Sequence, residues 1–367
     1  MPRTAFMIAF TLLLAGCQHR PLLMRGAMTM AGNMGMTGDM NMTGDMSMTG
    51  DMTTKMKTDN TASRLSQVVV SGPPLADSEH TQSGGRIAVI DVDGILVDRN
   101  QNGFGSMGEN PVALFREKLT VIADDPSIAG LVLRINSPGG GVTASDMMAH
   151  ELQRLKQTRP IPVVACLMSV GAGGGYYVAT HADAIVAHPT SVVGGIGVIF
   201  NLYNMEDTMG QFNVLSMSIK SGEKIDLGSP ERVMEPDERK LLQQMADSFH
   251  QRFIEQVQHS RPNLLSTDDL FDGRVMTGTQ AAEISLVDQV GYLDDAINTL
   301  RSMAGLGQDA SVVMLRRDND RAYTLLDVSP NEPLQTSLLP FKLPGLDRAA
   351  LPTFMYLWQP EPSIASR

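Results

Sequence analysis

Three apolar runs rich in β-branched residues, at 86–97 (RIAVIDVDGILV), 129–135 (AGLVLRI) and 161–168, alternate with helix-like stretches at 111–123 and 143–156. β-Branched side chains suit an extended backbone, and runs this apolar suit strands that are buried. Repeated strand–loop–helix steps predict an α/β fold with a parallel sheet and crossover helices. A later stretch, 236–259, repeats Leu241, Leu242, Met245, Phe249, Phe253 and Val257 at helical spacing, which predicts a long helix with one face against the core or another subunit.

Ligands of such folds sit at the carboxyl ends of the strands. Two glycine-rich loops are expected there, 136–141 (NSPGGG, read as a turn) and 169–177 (SVGAGGGYY). Glycines allow unusual backbone angles and leave peptide N–H groups open to a ligand, as in an oxyanion hole for acyl transfer. Neither loop ends in the Gly-Lys-Ser/Thr of a phosphate loop, and neither has the acidic partner of a dinucleotide site. Glycine alone fits tight helix–strand packing equally well.

The length of 367 residues allows about two domains. A net charge of -11 disfavours nucleic acid as a partner, and two cysteines, Cys17 and Cys166, exclude a disulfide framework. Arg3 precedes an apolar run, 5–15, that is too short to span a bilayer. It ends in Leu14-Ala15-Gly16-Cys17, which resembles the lipobox of bacterial lipoproteins. That resemblance implies a signal peptide over 1–17, lipid on Cys17, and an extracytoplasmic protein of the cell envelope anchored to a membrane. The alternative is an ordinary secretory signal with a chance cysteine.

Residues 18–85 read as a disordered linker. From Met34 it runs MGMTGD, MNMTGD, MSMTGD, and this segment holds many of the chain's 26 methionines. Its thioethers, from Met34, Met36, Met40, Met42, Met46 and Met48, form an alternative active element as a Cu(I) site. The folded unit is expected from about Gly85, with a domain over 86–305 and a C-terminal arm over 306–367 that carries SVVML and MYLW.

The stretches RIAVIDVDGILV, LVLRINSPGGGVTAS, GGYYVATHADAIVAHP, VGGIGVIF, IKSGEKIDLGSP and DGRVMTGTQAAEISLVDQVGYLDDAI resemble the signal peptide peptidase A (SppA, protease IV) family over about residues 86–300. The resemblance implies a ClpP/crotonase-like α/β fold of repeated β-β-α units with a parallel sheet and a helical extension. It also implies a serine nucleophile with a lysine base, peptide substrates such as cleaved signal peptides, no cofactor or metal, and assembly into homo-oligomers or with an active paralogue. The family's nucleophile, in A-A-S-G-G-Y, falls on Gly173, its supporting serine on Gly195 and its lysine on Ile225. None of the three has polar side-chain chemistry, so the resemblance implies an inactive homologue. The oxyanion glycines remain as Gly139 and Gly140, in SPGG, and Gly174.

The competing reading is an active peptidase with a rearranged dyad that uses Lys224, one position before Ile225, and a nearby serine. Ser137, Ser169, Ser191 and Thr180 are the hydroxyls near the loops, each also a natural turn or capping residue. His150, His181 and His188 are further bases, and Cys166 reads as buried packing. A crotonase-like acyl enzyme is the weakest alternative, because nothing in the chain suggests recognition of coenzyme A.

Overall fold

The structure is a computed structural model that describes residues 65–72, 85–100, 109–265, 269–317, 324–326 and 354–358. The elements, in chain order, are β1 (Ser66–Ser71), β2 (Arg86–Leu96), α1 (Pro111–Asp124), β3 (Ile128–Gly141), α2 (Val142–Thr158) and β4 (Val163–Ala172). Next come α3 (Gly174–Ala179), β5 (Ala184–Ala187), β6 (Val192–Gly194), α4 (Glu206–Gln211), α5 (Pro236–Ser260) and β7 (Val275–Thr277). The last are α6 (Gly278–Glu283), β8 (Gln289–Val290), α7 (Leu293–Ala304), β9 (Val312–Arg316) and β10 (Met355–Leu357).

The main sheet runs β1-β9-β2-β3-β4-β5-β8. The pairs from β9 through to β8 are parallel, and β1 is antiparallel to β9. This is the α/β, mostly parallel architecture expected from the alternating runs. Strand periodicity sorts the side chains into two cores. Ala88, Ile90, Val92, Leu131, Leu133 and Ile135 face one way, against Phe115, Leu119 and Ile122 of α1 and Met148 and Leu152 of α2. Ile87, Val89, Val132, Val164 and Cys166 face the other, against Leu293, Ala296, Ile297 and Leu300 of α7. Each Val, Leu, Ile, Phe or Met among them contributes about 1.5–3 kcal/mol on removal from water.

Helix boundaries follow local chemistry. Asn110 caps α1 by accepting from the amides of Val112 and Ala113 at 3.0 and 3.2 Å, and Pro111 takes the first turn. Glu238 accepts from the Glu235 amide at 3.0 Å to start α5, also behind a proline.

Three sequence expectations need correction. Residues 66–71 fall inside the expected disordered linker 18–85, yet their QVVV run pairs with β9, so the folded unit begins before Gly85. Strand β9 belongs to the sheet between β1 and β2 rather than to a terminal arm beginning at 306. NSPGGG is the end of β3 rather than a turn, because β2 pairs with it on one side and β10 on the other. Cys17 and the methionine repeat, Met34 to Met48, lie outside the described residues.

Candidate functional site

Polar pairs climb the parallel β2–β3 ladder to the glycine loops. Asp91 stands in register with Arg134, whose Nε donates to its carboxylate at 2.5 Å, with both side chains almost fully buried. Two residues on, Asn136 donates to Asp93 at 2.9 Å and accepts from the Val170 amide of β4 at 3.3 Å. Burial raises the pKa of Asp93, opposed by that bond from Asn136. The Ser137 hydroxyl then donates to the Gly94 carbonyl at 2.6 Å and accepts from the Gly139 amide at 3.1 Å, which fixes the first loop.

Beyond Ser137 and Gly171, the last pair in register, β3 and β4 diverge. Gly139 has φ +103, and a Cβ on it would approach the Gly174 amide nitrogen to 2.5 Å, so the two loops touch without side chains between them. Gly140 sits against Leu96 of β2. Gly173 turns the chain from β4 into α3 with φ 51 and ψ -126. This is a sharp strand-to-helix elbow of the kind that lifts a nucleophile out of a sheet, but it carries no side chain. The Gly173 amide donates to the Gly194 carbonyl at 2.9 Å, and a Cβ on Gly195 would lie 3.3 Å from the Gly173 nitrogen. The folding chain thus gathers Gly139, Gly140, Gly173, Gly174 and Gly195 at one place.

Comparison with known proteins adds the family. The description Peptidase family S49 matches residues 155–307. An Enterococcus faecium protein that bears the name signal peptide peptidase SppA is 32% identical over 65% of this chain and 70% of its own length. A Methanocaldococcus jannaschii protein named as a protease is 33% identical over 63% of this chain and 74% of its own. The chain belongs to the SppA family of serine peptidases. Among solved structures, a mutant of the 1510-N membrane-bound stomatin-specific protease aligns over 59% of this chain and 84% of its own, at 13% identity and a TM-score of 0.37.

In this SppA-family chain the remaining sequence candidates do not meet at the glycines. Ile225 is 71% exposed, in a segment between α4 and α5. Lys224 donates to Glu235 at 2.9 Å and reaches Glu238 at 4.0 Å, at the start of α5. The bond to Glu235 raises its pKa above the ordinary lysine value, which keeps the proton on and opposes a general-base role. Ser191 donates to the Leu167 carbonyl at 2.9 Å, and Thr180 to the Tyr177 carbonyl at 2.6 Å, so both hydroxyls are spent on backbone. Ser169 is an exposed position on β4.

His150 and His181 line a cleft with Asp146, Tyr177 and Arg252, formed by α2, α3 with the turn after it, and α5 rather than by the glycine loops. His188 bonds Thr190 and packs edge-on against Tyr292. Burial pushes the Cys166 thiol up to about 12, the inert packing role that its strand position suggested. Among the described residues no cluster of His, Cys, Asp and Glu could hold a metal, and no helix is long and apolar enough to cross a membrane.

Sequence reasoning missed the occupant of the site. Strand β10 lies antiparallel to the end of β3, with Leu357, Tyr356 and Met355 opposite Gly139, Gly140 and Gly141. The available signal was the aromatic alternation Phe354-x-Tyr356-x-Trp358. Tyr356 is fully buried, its hydroxyl donates to the Phe249 carbonyl at 2.7 Å, and its ring lies 4.7 Å from that of Phe253.

Proposed function

We propose that the protein is a non-cleaving member of the SppA family, which holds extended peptides at its glycine loops without hydrolysing them. The observation that carries this reading is position 173, where the backbone makes a nucleophile elbow and the residue is glycine. The N–H groups of Gly140 and Gly174 need no side chain to hold a carbonyl oxygen, so recognition can outlast the loss of chemistry. Family resemblance supports peptides such as cleaved signal peptides as the ligands. The lipobox-like Leu14–Cys17 supports a lipid tether in the cell envelope.

A second copy of this chain, or an active paralogue, is the proposed assembly partner. Phe212, Leu215, Met217 and Ile219 are 77–104% exposed, and Leu241 and Met245 on α5 are also uncovered. Clustered apolar exposure of this kind marks an interaction surface.

The test is retention of peptides by the purified full chain. A mixed peptide library is incubated with it, the protein is separated by gel filtration, and bound peptides are read by mass spectrometry. Intact peptides in the protein fraction are expected, and a protein fraction that carries none contradicts the reading.

A further inference from the structure

The glycine groove is already filled by this chain's own residues 354–358, and the filling is peptide-like in every hydrogen bond that defines it. On one side the Trp358 amide donates to the Pro138 carbonyl at 2.9 Å, and the Val142 amide donates to the Phe354 carbonyl at 3.0 Å. On the other side Met355 and Ile199 exchange both amide–carbonyl bonds at 2.9 Å. A strand paired to the end of β3 on one side and bridged to Ile199 on the other in this way is β-augmentation carried out in cis.

The strand lies over the elbow itself. Cβ atoms built on Gly139 and Gly173 would both overlap the Tyr356 carbonyl oxygen, and one on Gly195 would come within 3.0 Å of the Trp358 Cβ. A side chain at position 173 and this strand therefore compete for one volume. Side chains of a strand alternate; here Tyr356 is fully buried and Phe354, two positions earlier, is half-buried against the core. Phe354 stacks on Phe200 at 4.4 Å, and Tyr356 sits in a pocket of Tyr177 and Phe253 at 5.3 and 4.7 Å with its hydroxyl bonded to the Phe249 carbonyl.

We infer that residues 354–358 are an internal pseudo-ligand, and that the groove takes extended peptides with aromatic side chains at alternating positions, a tyrosine at the centre, by exchanging them for this segment. The inference rests on the peptide-holding reading and deepens it. It names the ligand class and makes binding conditional on release of a covalently attached competitor. A tethered ligand competes at an effective concentration on the order of millimolar, so outside peptides bind more weakly while it is seated.

The protein carries its own reporter, because Trp358 is its single tryptophan. The full chain is titrated with a peptide of residues 352–360 in which Trp358→Phe, alongside a scrambled version. The expected result is a red shift of Trp358 emission with the ordered peptide only. A Tyr356→Ala full chain, whose strand has lost its ring anchor, is expected to bind the labelled ordered peptide at least about tenfold tighter than the parent. Unchanged Trp358 emission at saturation, or equal affinity of parent and Tyr356→Ala, overturns the inference. The two readings fail separately. Exchange of the ordered peptide without retention of any library peptide removes the peptide-holding function and leaves the pseudo-ligand. Library peptides retained equally well by parent and Tyr356→Ala chains remove the pseudo-ligand and leave the function.

Discussion

The Gly173 amide donates to the Gly194 carbonyl at 2.9 Å, which ties the empty elbow to the strand that leads into Gly195. Two positions where the SppA resemblance implies hydroxyls are thus adjacent, held by backbone alone, with φ +51 and +62 that strain most side chains. Both positions keep the backbone geometry and are glycine, which is what the proposed non-cleaving reading rests on.

Restoring one group is expected to be insufficient. Gly173→Ser supplies a hydroxyl, but Ile225 offers no base and Gly195 no supporting hydroxyl. Its Cβ also collides with the Tyr356 carbonyl. The expected outcome is no peptide cleavage above the parent, together with a red-shifted Trp358 emission as the terminal strand is displaced. Fluorescence and a cleavage assay on the same sample read both.

The Asp91–Arg134 pair is buried at 3% exposure or less and spans the two central strands. Replacing Arg134 with Leu removes the ion-pair partner of the buried Asp91 carboxylate, and a broken buried pair costs about 3–5 kcal/mol. A fall of that size in unfolding free energy, measured by urea titration, is expected. The double variant Asp91→Leu with Arg134→Leu is expected to recover most of the loss.

His181 sets a pH dependence. Burial holds its imidazole below the ordinary histidine value, with Lys156 and Arg252 adding to the shift, while the Tyr177 carbonyl and Asp146 oppose it. The unfolded chain therefore binds the proton first as pH falls. The contribution of the neutral ring is fully present above about 6.5 and is lost as pH drops through the folded-state pKa. Urea midpoints of the parent are expected to decline more steeply below pH 6.5 than those of His181→Gln, and parallel curves would contradict this.

Most of the sheet was legible because its strands announce themselves by composition. Ile87 and Val89 face one core and Ala88 and Ile90 the other, an alternation that is buried on both sides and so reads as a continuous apolar run. What stayed hidden depends on partners distant in sequence. Val68–Val69 looked like part of a linker because their mates, Val313 and Met314, lie at the other end of the chain. NSPGGG reads as a turn until Tyr356 is placed beside Gly140. The glycines of the site were visible because their backbone demands glycine. Phe354, Tyr356 and Trp358 gave only a short aromatic alternation, and nothing local says what groove such a segment fills.

The central claim is that the elbow at Gly173 performs no hydrolysis, and peptide turnover tests it most directly. The purified full chain, with Ser137→Ala, Ser169→Ala and Lys224→Ala versions alongside, is incubated with a mixed peptide library and the products are followed by mass spectrometry. The expected result is that none of the four proteins cuts a peptide bond. Any cleavage by the parent contradicts the claim, and loss of that cleavage in Ser169→Ala or Lys224→Ala would locate a working nucleophile or base.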